Sequence, residues 1–178
     1  MTYLPAHFEE TRVDVLRDLI RAHPLATLVA MTKDGLVANH LPCIVDPDPA
    51  PFGTLRAHVA RANPIWRDAL AETQALAVFQ GPSAYVSPSW YATKRETGKV
   101  VPTWNYAVVH ARGPLAFIES AEWLLAFVTR LTQVHEAGRA QPWQVSDAPA
   151  DFVRAQLKGI VGLEMPITSL AGKGKMSQ

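Results

Sequence analysis

Apolar and polar residues change their spacing several times along the chain, and each change marks an element. Val13, Leu16, Leu19 and Ile20 recur at helical spacing, which predicts a helix from Thr11 to Ala22, capped by Thr11 and stopped by Pro24. Leu25 to Thr32 is a short apolar run and reads as a strand. Asp34-Gly35 is a hairpin signal, with Leu36 to Val45 as the return strand. The proline-rich run from Asp46 to Pro51 cannot pair in a sheet and predicts a surface loop. Thr54 to Ala60 reads as a third strand, after which Asn63 caps a short helix with Pro64 at its first position.

The second half repeats the pattern. Ala75 to Phe79 and Ala84 to Ser87 predict two further strands, and Tyr91 to Val100 a polar, basic loop. Thr103 to Arg112 and Leu115 to Ile118 read as strands, separate or as one bent strand broken at Gly113-Pro114. Ser120 caps a helix to about Glu136 whose buried side is Trp123, Leu124, Phe127, Val128 and Leu131. Ala148 to Leu157 predicts a further helix, and Gly159 to Met165 the last clear strand. Six or seven strands with three or four helices, several joined by short turns, imply a mainly β (α+β), mostly antiparallel, closed or nearly closed barrel with peripheral helices. The chain reads as a single domain over 1–178.

Composition narrows the function. Nearly half of the 178 residues are hydrophobic (48%) and only 19% are charged, which is ample for a core and leans towards an oligomer. The net charge is +1, from 17 basic and 16 acidic side chains, with no basic stripe and no helix-turn-helix pattern; both count against direct reading of DNA. Cys43 is the one cysteine, so no intramolecular disulfide can form, and it reads as a small buried hydrophobe. Met1 is followed by polar and acidic residues rather than a signal-peptide pattern, and no apolar run approaches the roughly 18 residues of a membrane span. A cytoplasmic protein off the membrane is expected.

The six histidines lack metal-ligand spacing, and there is no Gly-x-Gly-x-x-Gly, P-loop or Gly-x-Ser-x-Gly motif. His40, in Asn39-His40-Leu41-Pro42, stands at a strand end where a structural role is the ordinary one. His58, Arg61 and Asn63 fall where a strand gives way to a helix, a corner whose free amide groups favour an anion. Arg61 could grip two phosphate oxygens there; an ordinary surface arginine beside a cap is the competing reading. Ser87-Pro88-Ser89-Trp90-Tyr91 and Val101-Pro102-Thr103-Trp104-Asn105-Tyr106 crowd ring faces and hydroxyls onto two bends. They suit a flat aromatic ligand, or equally a barrel plug or a subunit interface. Lys173 and Lys175 add positive charge near the end.

In this order these residues resemble the PaiB-type family of FMN-binding negative transcriptional regulators. The likeness is carried by Met1, Tyr3, Pro5, His7 and Phe8, by His40-Leu41-Pro42, by His58 to Pro64, by Gly81 to Tyr91 and by Val101 to Tyr106. It implies a flavin-reductase-like split β-barrel that binds FMN at a homodimer interface. The phosphate would lie at His58, Arg61 and Asn63. The ring would lie beside Thr27, Leu28 and Val29 of the strand running to Ala30, with Ser87, Trp90, Trp104 and Asn105 close by. Lys175-Met176-Ser177-Gln178 matches the first part of the family's closing motif, which adds Lys175, Ser177 and Gln178 as cofactor contacts. No catalytic side chain is assigned and no metal is expected, because a flavin itself supplies the redox chemistry. The alternative function is an FMN-dependent oxidoreductase linked to NAD(P)H or another donor and acting on a small molecule.

Overall fold

Two antiparallel sheets wrap one apolar interior, and small residues decide how closely they approach. The computed structural model describes residues 3–71 and 73–176. In chain order the elements are β1 (Glu9–Glu10), α1 (Val13–Ala22), β2 (Leu25–Thr32), β3 (Gly35–Pro42), β4 (Ile44–Asp46), β5 (Thr54–Ala60), α2 (Ile65–Asp68) and β6 (Ala75–Val86). There follow α3 (Thr93–Glu96), β7 (Thr103–Gly113), β8 (Ala116–Ile118), α4 (Ala121–Glu136), α5 (Ala150–Leu157), β9 (Ile160–Pro166) and β10 (Ser169–Lys175). The larger sheet runs β1-β10-β7-β6-β2-β3 and the smaller β4-β5-β9-β8. The chain passes from one sheet to the other at Cys43, between Gly113 and Ala116, and around Ile167, so the two sheets form the wall of one split barrel.

Ala26, Leu28, Ala30, Ala77, Phe79, Val109 and Ala111 of the larger sheet face Val45, Leu55, Ala57, Val59, Val161, Leu163 and Met165 of the smaller one. Alternating alanine with a few large side chains is how a narrow barrel fills its taper. Leu16 and Ile20 of α1 complete this core. Gly113 sits where β7 leaves the larger sheet: a Cβ there would lie 2.0 Å from the Pro166 carbonyl oxygen. Gly162 of β9 performs the same service for α4, whose Trp123 ring would meet a Cβ at 2.3 Å.

Several sequence expectations shift. Strands β2 and β5 fall where the pattern predicts them. The first helix begins at Val13 with Arg12, not Thr11, at its cap and no capping side chain, because a guanidinium has no acceptor to offer the helix amides; Arg12 pairs with Glu10. The Leu36–Val45 segment is two strands in different sheets, since Cys43 turns inward and the chain changes layer there. The Ala75–Phe79 and Ala84–Ser87 segments are one strand, β6, carried through a bulge between Gln80 and Ser83. The Tyr91–Val100 loop contains a helical turn, α3, and Pro64 stands just before α2 rather than inside it. Ten strands stand among the described residues where six or seven were expected. The largest omission is β10, whose Gly172, Gly174 and two lysines conceal it from a pattern search. Among the described residues no helix is long and apolar enough to cross a membrane.

Candidate functional site

Strand alternation sends Leu25, Thr27, Val29 and Met31 of β2 to the side opposite the core, and register places Leu36, Ala38 and His40 of β3 beside them. Pairing continues the row from His40 through Thr27, Val78 and His110 to Ala171 across five strands. Leu25 is 62% exposed and Leu36 71% exposed, so this outer face is apolar yet open along β2 and β3. Further along, Leu4 joins Val108, His110, Ala171 and Lys173 around one small cavity. The Thr27 hydroxyl and His40 Nδ1 lie 3.2 Å apart. Leu28 faces the other way, buried in the core.

The corner after β5 is built differently. Arg61 Nε donates to the Lys158 carbonyl at 2.9 Å, Nη2 to the Ile160 carbonyl at 3.2 Å, and Nη1 to Glu119 at 2.6 Å. All three guanidinium nitrogens therefore have partners within the chain, and Arg61 pins the corner to the start of β9. Asn63 Oδ1 accepts the Ile65 amide at 3.0 Å, while Nδ2 donates to Asn39 Oδ1 at 2.6 Å. Asn63 is thereby joined to β3, one residue from His40. His58 pairs in register with Gly162 and lies against Phe127 of α4, ring centroids 5.8 Å apart. Its Nδ1 is buried without a hydrogen-bond partner, and burial pushes its pKa down from the ordinary value. Beside it, Asp46 binds both Arg56 and Arg130, and Arg56 also binds Glu164 at 2.7 Å.

A third group gathers at the far end of the β6–β7 hairpin. Tyr85 and Trp104 face each other across the pair, centroids 6.2 Å apart, with Ala84 opposite Asn105. Ser87 Oγ accepts the Ser89 amide, which starts the turn carrying Trp90. Trp104 is 53% exposed and Trp90 71% exposed. Lys175 arrives from β10, which pairs with β7, and its ammonium donates to the Thr103 hydroxyl at 2.8 Å. Lys94 Nζ reaches Ser89 Oγ at 2.9 Å. A cavity of about 290 Å³ opens here between Tyr91, Thr93, Lys99, Val100, Val101 and Thr103.

The structure thus distributes the expected contacts over three places. Ser87, Trp90, Trp104, Asn105 and Lys175 share the hairpin end; Thr27 and Val29 share the open sheet face; His58 stands under α4, with Arg61 and Asn63 at the corner. Ser177 and Gln178 lie outside the described residues. The open apolar face along β2 and β3 was not singled out in the sequence, although Leu36-Val37-Ala38 is a signal for it: a strand apolar on both faces expects cover on both. Among the described residues no three His, Cys, Asp or Glu side chains gather to hold a metal.

A flavin mononucleotide needs flat faces for its ring, polar atoms for the ring edge and cations for its phosphate. Water-exposed indoles, the Thr27, Ser87 and Asn105 side chains, and ammonium groups that, among the described residues, meet hydroxyls are a donor set of that kind. Fold and site define a flavin-binding split-barrel protein. The family described as "Putative FMN-binding domain" matches residues 2–169. The chain belongs to that family, and FMN is its cofactor. It is 30% identical to the protease synthase and sporulation protein PAI 2 of Bacillus subtilis, covering 99% of this chain and 82% of that protein. An uncharacterized protein of Aspergillus fumigatus is 35% identical over 99% of this chain and 85% of its own length. Among solved structures, the flavocytochrome Anf3 of Azotobacter vinelandii superposes with a TM-score of 0.70 at 12% identity, covering 99% of this chain and 74% of that one. The FAD and heme binding protein of Mycobacterium smegmatis gives 0.70 at 20% identity, covering 95% and 74%. At such identities these two likenesses speak for the fold.

Proposed function

We propose that the protein works as an FMN-binding homodimer of the PaiB-like regulatory type, with the flavin held where two subunits meet. The observation that carries this reading is the open sheet face: Leu25, Val29, Met31 and Leu36 lie unburied or half-buried on β2 and β3. An apolar surface of that extent favours a partner, and a second copy offers the same surface in return. Thr27 and Val29 would flank the ring, Trp90, Trp104 and Asn105 would supply its stacking face and polar edge, Ser87 would hold the bend that carries Trp90, and Lys175 would meet the phosphate. Arg61 and Asn63 shape the corner that positions β3, and His58 supports it from beneath α4.

A second reading, an FMN-dependent oxidoreductase acting on a small molecule, is favoured by one observation. Among the described residues, α2 and α3 are single turns and α4 and α5 are separated by a long connection, so no helix pair is built to enter a DNA groove. Regulation would then follow from redox chemistry rather than DNA contact.

Titration of the purified protein with FMN, followed by flavin fluorescence, tests the site. One FMN per subunit is expected, with Trp104→Ala and Lys175→Gln each weakening uptake by about 1–2 kcal/mol through lost stacking and a lost charge-assisted contact. Full affinity in both variants would remove the hairpin end from the site. Steady NAD(P)H oxidation by the loaded protein would select the oxidoreductase reading, and a salt-dependent, sequence-selective DNA complex the direct regulator.

A further inference from the structure

A second cavity, sharing no residue with the flavin candidates, lies between α4 and α5. It has a volume of about 620 Å³, within the roughly 300–1,000 Å³ common for small-molecule sites. Leu125 from α4, Val153 and Leu157 from α5, and Val145 from the turn between them make its apolar surface. Two polar groups nearby are used already. The Thr129 hydroxyl donates to the Leu125 carbonyl at 2.7 Å, and the Asp147 carboxylate accepts the Gln144 amide at 2.8 Å. Arg154 is the one charged residue of the lining. It lines the cavity and, among the described residues, has neither a hydrogen bond nor an ion pair, although Asp151 stands one turn earlier on the same helix.

We propose that this groove binds a small amphipathic carboxylate, with an aliphatic body against Leu125, Val153 and Leu157 and its carboxylate on Arg154. One unpaired guanidinium beside an apolar channel complements one negative charge on an apolar chain. A planar carboxylate fits the guanidinium fork with two parallel hydrogen bonds. Arg154 is the lining's single charged group, which matches the single charge of a carboxylate rather than the greater charge of a phosphate ester. The groove is concave, so an inserted chain fills it better than a flat protein surface does.

Calorimetric titration of the FMN-loaded protein with dodecanoate, and with its uncharged methyl ester, tests the inference. Saturable one-to-one binding of dodecanoate is expected. Arg154→Gln should weaken dodecanoate by about tenfold or more while leaving the ester unaffected. Val153→Trp, which fills the groove, should abolish both, with the circular dichroism and FMN absorbance unchanged. Leu125→Trp closes the same space from α4 should the first variant fail to fold. Absence of saturable binding, or binding indifferent to Arg154→Gln and to the filling variants, overturns the proposal. So does a fall in solution mass on filling the groove, which would mean that a second copy occupies it.

Discussion

At the scale of single residues, His58 and Arg61, both expected at the phosphate, also make contacts that hold the scaffold together. His58 is held neutral by burial against α4. An unfolded chain takes up a proton near the ordinary histidine value of 6.5, which the folded chain resists. The protein therefore loses stability as the pH falls from about 6.5 towards the lower folded value, and keeps it above. His110 is shifted the same way by burial and by Arg112, so it adds to this slope. Urea unfolding at pH 7.5 and 5.5 should show His58→Leu losing less stability on acidification than the parent protein, with no penalty at the higher pH, because its buried Nδ1 has no bond to forfeit. For Arg61→Ala the expected result is a stability loss of about 1–2 kcal/mol, from two backbone carbonyls left without their donor. FMN affinity in a refolded sample should stay within about threefold; a drop of about 1–3 kcal/mol would bring the phosphate back to this corner.

At the scale of elements, the decisive positions are those where a strand changes partner. Gly113 lets β7 hand the chain over to β8 beneath the Pro166 carbonyl. Gly113→Ala forces a backbone to move rather than a flexible side chain, and thermal unfolding should register a loss of about 1–3 kcal/mol or more. Such handovers explain which parts of the fold were legible in the sequence. Strand β2 and helix α4 each carry one apolar alternation or stripe, and their bounds follow from periodicity, with Ser120 capping α4 through the Trp123 amide. The β3–β4 break at Cys43 has no such signature, because the residues on either side stay apolar and only the partner strand changes, whereas Gly81-Pro82 in β6 reads as an interruption although β7 remains the partner on both sides of the bulge. Strand β10 is hidden for the opposite reason. Its Gly172 admits Leu16 and the backbone of β1 at close range, and its lysines belong to the outer face.

At the scale of the whole molecule, the outer face of the larger sheet leaves Leu25 and Leu36 exposed along β2 and β3, where the proposed homodimer would close. Val29→Asp places a carboxylate at its centre without touching the core. On the proposed homodimer, light scattering should find a dimer for the parent protein and a monomer for this variant, and FMN uptake should fall at least tenfold, since a seam between subunits could not form. A dimeric Val29→Asp protein with undiminished flavin binding would move the interface elsewhere. By itself the sequence determined the class of barrel, the main strand and helix positions, and the family with its cofactor, because these depend on local periodicity and on motifs read in order. Only the tertiary structure decided that the expected contacts fall into three separate places, that the guanidinium of Arg61 meets two backbone carbonyls and Glu119, and that Lys175 lies beside Thr103. Those outcomes depend on which strands pair across distant parts of the chain and on which donors find partners first, and neither is encoded in the spacing of neighbouring residues.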